Sequence, residues 1–136
     1  MLSRNCFGVL MVRSSMSKVR IEVDGSKTFG PYSPGVKSNG MIWLAGQIAP
    51  EAGDDIKLQT RACLKKIDDL LHAAGVSKNN VCFAQVLLAD INDFNSMNEV
   101  YLEWLDGVEI PPARAAFEAG NLPKKAGIEI VIQATE

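Results

Sequence analysis

The sequence predicts an α+β fold with two helices laid on one face of a single sheet. Two stretches carry apolar residues at three- and four-residue spacing, each with one apolar stripe. Shorter runs rich in β-branched and aromatic residues surround them, in the order strand, hairpin, helix, strand, helix, strand, strand. The chain has 136 residues, 47% of them hydrophobic and 22% charged, which suits one domain with a real core.

Residues 1–15 differ in kind from the rest. They hold Arg4, Arg13 and three serines but no acid, and the first carboxylate is Glu22. That composition is the one of a mitochondrial presequence, so residues 1–15 are expected to form a targeting leader and residues 16–136 the domain. Met16-Ser17-Lys18 reads as a second start, and the alternative is an irregular N-terminal arm on a cytoplasmic protein. The apolar run from Phe7 to Val12 is short and interrupted by Gly8, and nothing later approaches the length of a membrane span.

Within the domain, Val19 to Val23 alternates as a strand and ends at the turn Asp24-Gly25-Ser26. The stretch Phe29 to Gly35 holds two prolines and two glycines and is expected to be a rigid loop. Asn39-Gly40 carries a hairpin signal, followed by the near-continuous apolar strand Met41 to Ala49. Asp54 or Asp55 then caps a helix whose Thr60, Cys63, Leu64, Ile67, Leu70, Leu71 and Ala74 form the inner stripe before Gly75 ends it. Lys65, Lys66, Asp68 and Asp69 fall on its outer face. Val81 to Ala89 reads as a buried strand, after which Asn92 or Asp93 caps a shorter helix with Phe94, Met97, Tyr101, Trp104 and Leu105 on one stripe. Those aromatics are expected in the core. Two strands close the chain, one after Pro111-Pro112 and one from Gly127 to Ile132.

Composition removes several kinds of function. A formal charge of −2 and a pI near 5.4 give nucleic-acid binding no electrostatic support, and losing Arg4 and Arg13 with the leader would leave 12 basic against 16 acidic residues. The single histidine, His72, lies near a helix C-terminus and suits the helix dipole better than catalysis. A His-rich metal centre is therefore impossible, and no phosphate-binding or dinucleotide motif is present, so no metal or cofactor is expected. Cys63 and Cys82 form no C-x-x-C and read as small apolar residues in a reducing compartment.

Arg114 stands apart. It sits early on a strand after two prolines, sharing a face with Ala116 and Glu118, and its small neighbours leave room for a bidentate carboxylate or phosphate. A solvated or salt-bridged strand arginine fits the same local pattern.

Read together, Pro112-Ala113-Arg114, Leu122-Pro123 and Ile128-Glu129-Ile130 resemble the C-terminal signature of the RidA/YjgF reactive-intermediate deaminase family. Gly30-Pro31-Tyr32, Ala45-Gly46-Gln47-Ile48, and Asp93-Phe94 with Asn98 and Tyr101 are similar to that family's other segments, in the same order from about Lys18 to Thr135. The resemblance implies a chorismate-mutase-like (YjgF-like) mixed sheet assembled as a homotrimer, with each site in a cleft between subunits. It implies hydrolysis of reactive enamine and imine intermediates, such as 2-aminoacrylate, to 2-oxo acids and ammonia.

By that resemblance Arg114 binds the substrate carboxylate, Glu129 helps position or activate water, and Tyr32 lines the pocket as a third catalytic residue. Gly46 is the glycine whose backbone approaches the substrate, with Ala45, Ala116 and Asn98 also at the substrate. Familiar members carry serine and cysteine where this chain has Ala45 and Ala116, which excludes a covalent route through either position. The expected partners are small 2-imino and 2-oxo acids and further copies of the chain, with neither a membrane nor nucleic acid. A non-catalytic carboxylate-binding or protein-interaction module of the same fold is the competing expectation.

Overall fold

The computed structural model describes residues 17–25, 27–28 and 30–136, so the expected leader, residues 1–15, lies outside the described residues. Six strands form one sheet: β1 (Val19–Ile21), β2 (Gly35–Ser38), β3 (Met41–Leu44), β4 (Val81–Leu88), β5 (Ala113–Glu118) and β6 (Ile128–Thr135), in the order β1-β2-β3-β6-β4-β5. Helix α1 (Ile56–Ala73) follows β3, and α2 (Phe94–Trp104) joins β4 to β5. Every neighbouring pair is antiparallel except β4 and β5, whose parallel pairing needs the crossover that α2 supplies.

Local chemistry accounts for the boundaries. Asn39 (φ 51°) and Gly40 (φ 80°) are both left-handed, as the tight β2–β3 hairpin requires. Asp55 caps α1 by accepting the Lys57 N–H at 2.8 Å, and Gly75 (φ 84°) ends it. Asp93, one of the two expected residues, stands at the N-cap of α2 but makes no side-chain cap bond. Asp90, rather than Asn92 or Asp93, accepts a backbone N–H, that of Asn92 at 2.9 Å, and a 3-10 turn over Ile91–Asp93 leads into the helix. β3 is also shorter than the apolar run Met41 to Ala49. Regular pairing stops at Leu44, and only an isolated bridge, Gln47 to Ile130, continues it.

The core lies between the helices and one sheet face. Ile42, Leu44, Ala84, Val86, Leu88, Ile128, Ile130, Ile132 and Ala134 point that way and are buried against Cys63, Ile67, Leu71, Met97 and Val100. Each large side chain so buried contributes about 1.5–3 kcal/mol. Both helices cover the same face, as the stripes predict. The opposite face carries Trp43, Phe83, Leu87, Val131 and Phe117, with Trp43 41% and Phe117 43% exposed. Cys82 corrects its expectation: it is exposed where the β4–β6 register shifts, whereas Cys63 is fully buried. Among the described residues no helix is long and apolar enough to cross a membrane, and no group of three or more His, Cys, Asp or Glu could hold a metal.

Candidate functional site

Glu129 alternates on β6 with the fully buried Ile128 and Ile130, so it faces away from the helices. Its carboxylate lies against Gly46, where a Cβ would clash with Oε2 and sit 2.8 Å from Cδ. Gly46 is thus what gives this acid its place. Its neighbours are held by the backbone: the Gln47 N–H donates to Ile130 O at 2.9 Å, the Ile130 N–H donates to Gln47 O at 3.0 Å, and the Gln47 side-chain amide donates to Ala45 O at 2.9 Å. Burial pushes the Glu129 pKa above the usual carboxylate range.

Glu129 and Gly46 line a cavity of about 500 Å³ together with Tyr32, Thr28, Ile48 and Pro123. Tyr32 is 46% exposed at its mouth, so it is no core ring. The helix α1 also contributes, through Lys66, Asp69 and Leu70. This corrects the outer-face assignment of Lys66 and Asp69. The Lys66 ammonium turns back to donate to Ile48 O at 2.7 Å and to pair with Glu51 at 2.6 Å, holding Glu51 below its usual range. Asp68 is not simply solvated either, because it accepts the Trp104 indole N–H at 3.0 Å. Cys63 donates weakly to Gln47 O at 3.3 Å under the cavity floor, and burial pushes its thiol up to about 12, so no thiolate nucleophile is offered here.

Arg114 is elsewhere. It pairs in register with Ala84, which in turn pairs with Ile132, so it lies on the helix face of the edge strand β5. Its Nη1 donates to Asn98 Oδ1 at 2.6 Å, and its guanidinium carbon lies 4.8 Å from the Tyr101 ring centroid and 5.5 Å from that of Phe94. Among the described residues it pairs with no carboxylate, unlike Arg20, Arg61, Lys57 and Lys65. Ala116 follows on the same face, half-buried against the core.

The expected residues therefore fall into two groups. Tyr32, Gly46 and Glu129 line one cavity, with Ala45 next to it in sequence but not lining it. Arg114, Asn98 and Ala116 gather over α2, on the other side of the sheet from Glu129. The aromatic stripe of α2 is core, as expected, since Met97, Tyr101 and Trp104 are buried. It also supplies the platform under Arg114, a role the helical period does not reveal. Sequence reasoning missed Lys66, Asp69 and Thr28 as lining residues. Only their common spacing from a helix or turn was visible, and that carries no signal for a cavity.

One mixed sheet with two helices on a single face makes an α+β domain, and its solved neighbours, among them L-PSP and Rid-family structures at TM-scores of 0.82, place it in the YjgF-like, chorismate-mutase-like type. A family model described as Endoribonuclease L-PSP matches residues 23–136. A RutC family protein of Pyrococcus horikoshii is 44% identical over 121 residues, 85% of this chain and 94% of that protein. The Mus musculus protein named 2-iminobutanoate/2-iminopropanoate deaminase is 35% identical over 123 residues, 86% of this chain and 90% of that protein. The crystal structure of E. coli TdcF with bound serine aligns with a TM-score of 0.79 at 31% identity, covering 87% of this chain and 98% of that one. The chain belongs to the RidA/YjgF family.

Proposed function

We propose that this protein hydrolyses reactive 2-imino acids, including the imine tautomer of 2-aminoacrylate, to 2-oxo acids and ammonia. The observation that carries the proposal is Arg114: a half-buried guanidinium without an anionic partner among the described residues, held by a neutral amide and two aromatic faces. Such a group, with most of its N–H donors uncommitted, suits a bidentate carboxylate. The deaminase name of the mouse relative supports the same reading.

In this mechanism the substrate carboxylate sits on Arg114 and the imine carbon points into the cavity beside Glu129. Water attacks that carbon as the C=N pair moves onto nitrogen, and Glu129 takes the proton from water. Glu129 passes that proton to the nitrogen, and the tetrahedral intermediate then collapses to the 2-oxo acid as its hydroxyl proton moves through Glu129 to the departing nitrogen, the C–N bond breaks and ammonia leaves. Orientation supplies much of the acceleration, because an iminium carbon is already a strong electrophile. A positioned base adds roughly 10²- to 10⁴-fold. Tyr32 lines the mouth, and no metal or cofactor takes part.

Arg114 and Glu129 lie on opposite faces of one sheet, so the substrate bridges two copies of the chain. The face bearing Trp43 and Phe117 offers the apolar surface for that assembly, which we read as a homotrimer closing on itself. The acid-free leader of residues 1–15 directs the protein to mitochondria in this reading. A fusion of that segment to a fluorescent reporter is expected to reach mitochondria, and a diffuse cytoplasmic signal would reject the assignment.

Alanines at 45 and 116 favour a second reading, a carboxylate binder without turnover, because neither side chain can hydrogen-bond a reacting group. Ammonia release from enzymatically generated 2-aminoacrylate separates the two. Acceleration over the buffer rate is expected, with loss in Arg114→Ala. A buffer-level rate with intact 2-oxo acid binding would leave the binder.

A further inference from the structure

We infer that Asn98 and Tyr101 are positioning residues that fix the direction of the Arg114 guanidinium while leaving its charge uncompensated. The inference rests on Arg114 as the carboxylate-binding group and assigns what makes it competent.

An arginine on an edge strand ordinarily swings freely or finds an acid. Here Nη1 is tied at 2.6 Å to Asn98 Oδ1, an acceptor without charge, so the fork is aimed but not neutralised. Its flat face rests on Tyr101, with the guanidinium carbon 4.8 Å from the ring centroid. Glu118 is the acid on the same strand face, four residues along and hence about 13 Å away. It is diverted to the Ile91 N–H at 2.9 Å.

Tyr101 is itself held. It is only 5% exposed, and Trp104 packs on it with ring centroids 5.7 Å apart at a tilt of 44°. Trp104 is pinned in turn by its indole N–H to Asp68 of α1 at 3.0 Å. The buried Tyr101 hydroxyl has no hydrogen-bond partner among the described residues. What Tyr101 presents to the cation is its ring, whose centroid lies 4.8 Å from the guanidinium carbon. A chain from Asp68 through Trp104 and Tyr101 thus sets where the charge on β5 points.

The test measures pyruvate affinity by calorimetry and steady-state turnover of 2-aminoacrylate in the full chain, with near-UV circular dichroism to check folding. Arg114→Ala is expected to abolish pyruvate binding. If it binds like wild type, the reading of Arg114 itself fails. With that control met, affinity is expected to follow the order wild type, Asn98→Ala, Asn98→Asp. Alanine costs about tenfold through the lost charge-assisted hydrogen bond, and aspartate about a hundredfold through neutralisation, although it keeps the acceptor geometry.

A purely structural role for Asn98 predicts the reverse, with aspartate the better substitute. Tyr101→Leu is expected to lose about tenfold, and Tyr101→Phe to recover most of it because the ring remains. Aspartate equal to or better than alanine at position 98 overturns the inference, even if Tyr101→Leu fails to fold. Wild-type affinity in both Asn98 variants, with Arg114→Ala inactive, does the same and leaves the function standing.

Discussion

Glu129 is in a demanding environment, with burial raising its pKa and its carboxylate packed where a Cβ at position 46 would stand. A carboxyl whose folded pKa exceeds its unfolded value binds its proton more tightly in the native state, so it lowers stability as pH rises through that window. Glu129→Gln removes the penalty. Its unfolding temperature is expected to exceed that of wild type at neutral pH, with the gap closing as pH falls below the ordinary carboxylate range, which thermal scans across pH will check. The same substitution is expected to lower turnover far more than 2-oxo acid affinity, because the amide keeps the shape but takes no proton. Equal losses in both would make Glu129 a binding group instead.

Gly46→Ala pushes a Cβ into the Glu129 carboxylate and is expected to reduce turnover at least about tenfold with the fold intact. Because it acts through Glu129, its effect is expected to vanish largely in the Glu129→Gln background. Additive losses in that double-mutant cycle would mean that Gly46 meets the substrate on its own.

The elements stand on local devices that do not depend on the site. At the β2–β3 turn, Gly40 has φ 80° and nothing near the position of an added Cβ, so Gly40→Ala meets backbone strain without a clash. It is expected to cost about 1–2 kcal/mol in denaturant unfolding, with turnover unchanged at a temperature where the protein is folded. The α2 crossover is different, because it serves both structure and site. Its inner stripe closes the core over β4, while Asn98, one residue beyond the buried Met97, reaches Arg114 on β5. A parallel β4–β5 pair needs a crossover that packs on one sheet face, and the register pairing Arg114 with Ala84 puts Arg114 on that same face.

At the scale of the whole molecule, two helices cover one face of a six-stranded sheet and leave the other with half-exposed Trp43 and Phe117. Light scattering is expected to give three times the chain mass of 14.7 kDa. Trp43→Glu is expected to give a folded monomer without deaminase activity, since a charge there opposes burial and the proposed mechanism draws each site from two copies. A fully active monomer, of either protein, would contradict the shared site.

Much of the fold was legible in the sequence because its signals are local. Period-two and period-3.6 apolar patterns, Asn39-Gly40, Asp55 and Gly75 each act within a few residues of where they stand. Alternation alone also assigned Arg114, Ala116 and Glu118 to one face. What it could not assign was which face that was, or that Glu129 turns the other way. Those facts depend on the register of β4 between β5 and β6, set by side chains far apart in the chain. Helical period marked Asn92 or Asp93 for the N-cap of α2, where Asp93 stands, but a 3-10 turn precedes the helix and the side-chain bond there is made by Asp90, which helical period does not reveal. Lys66 at the cavity and Asp68 on Trp104 were missed for a common reason. A long or polar side chain on a helix surface has no periodic signature for the partner it finds, so its role is decided only when tertiary packing brings a carbonyl, an indole or a ligand within reach.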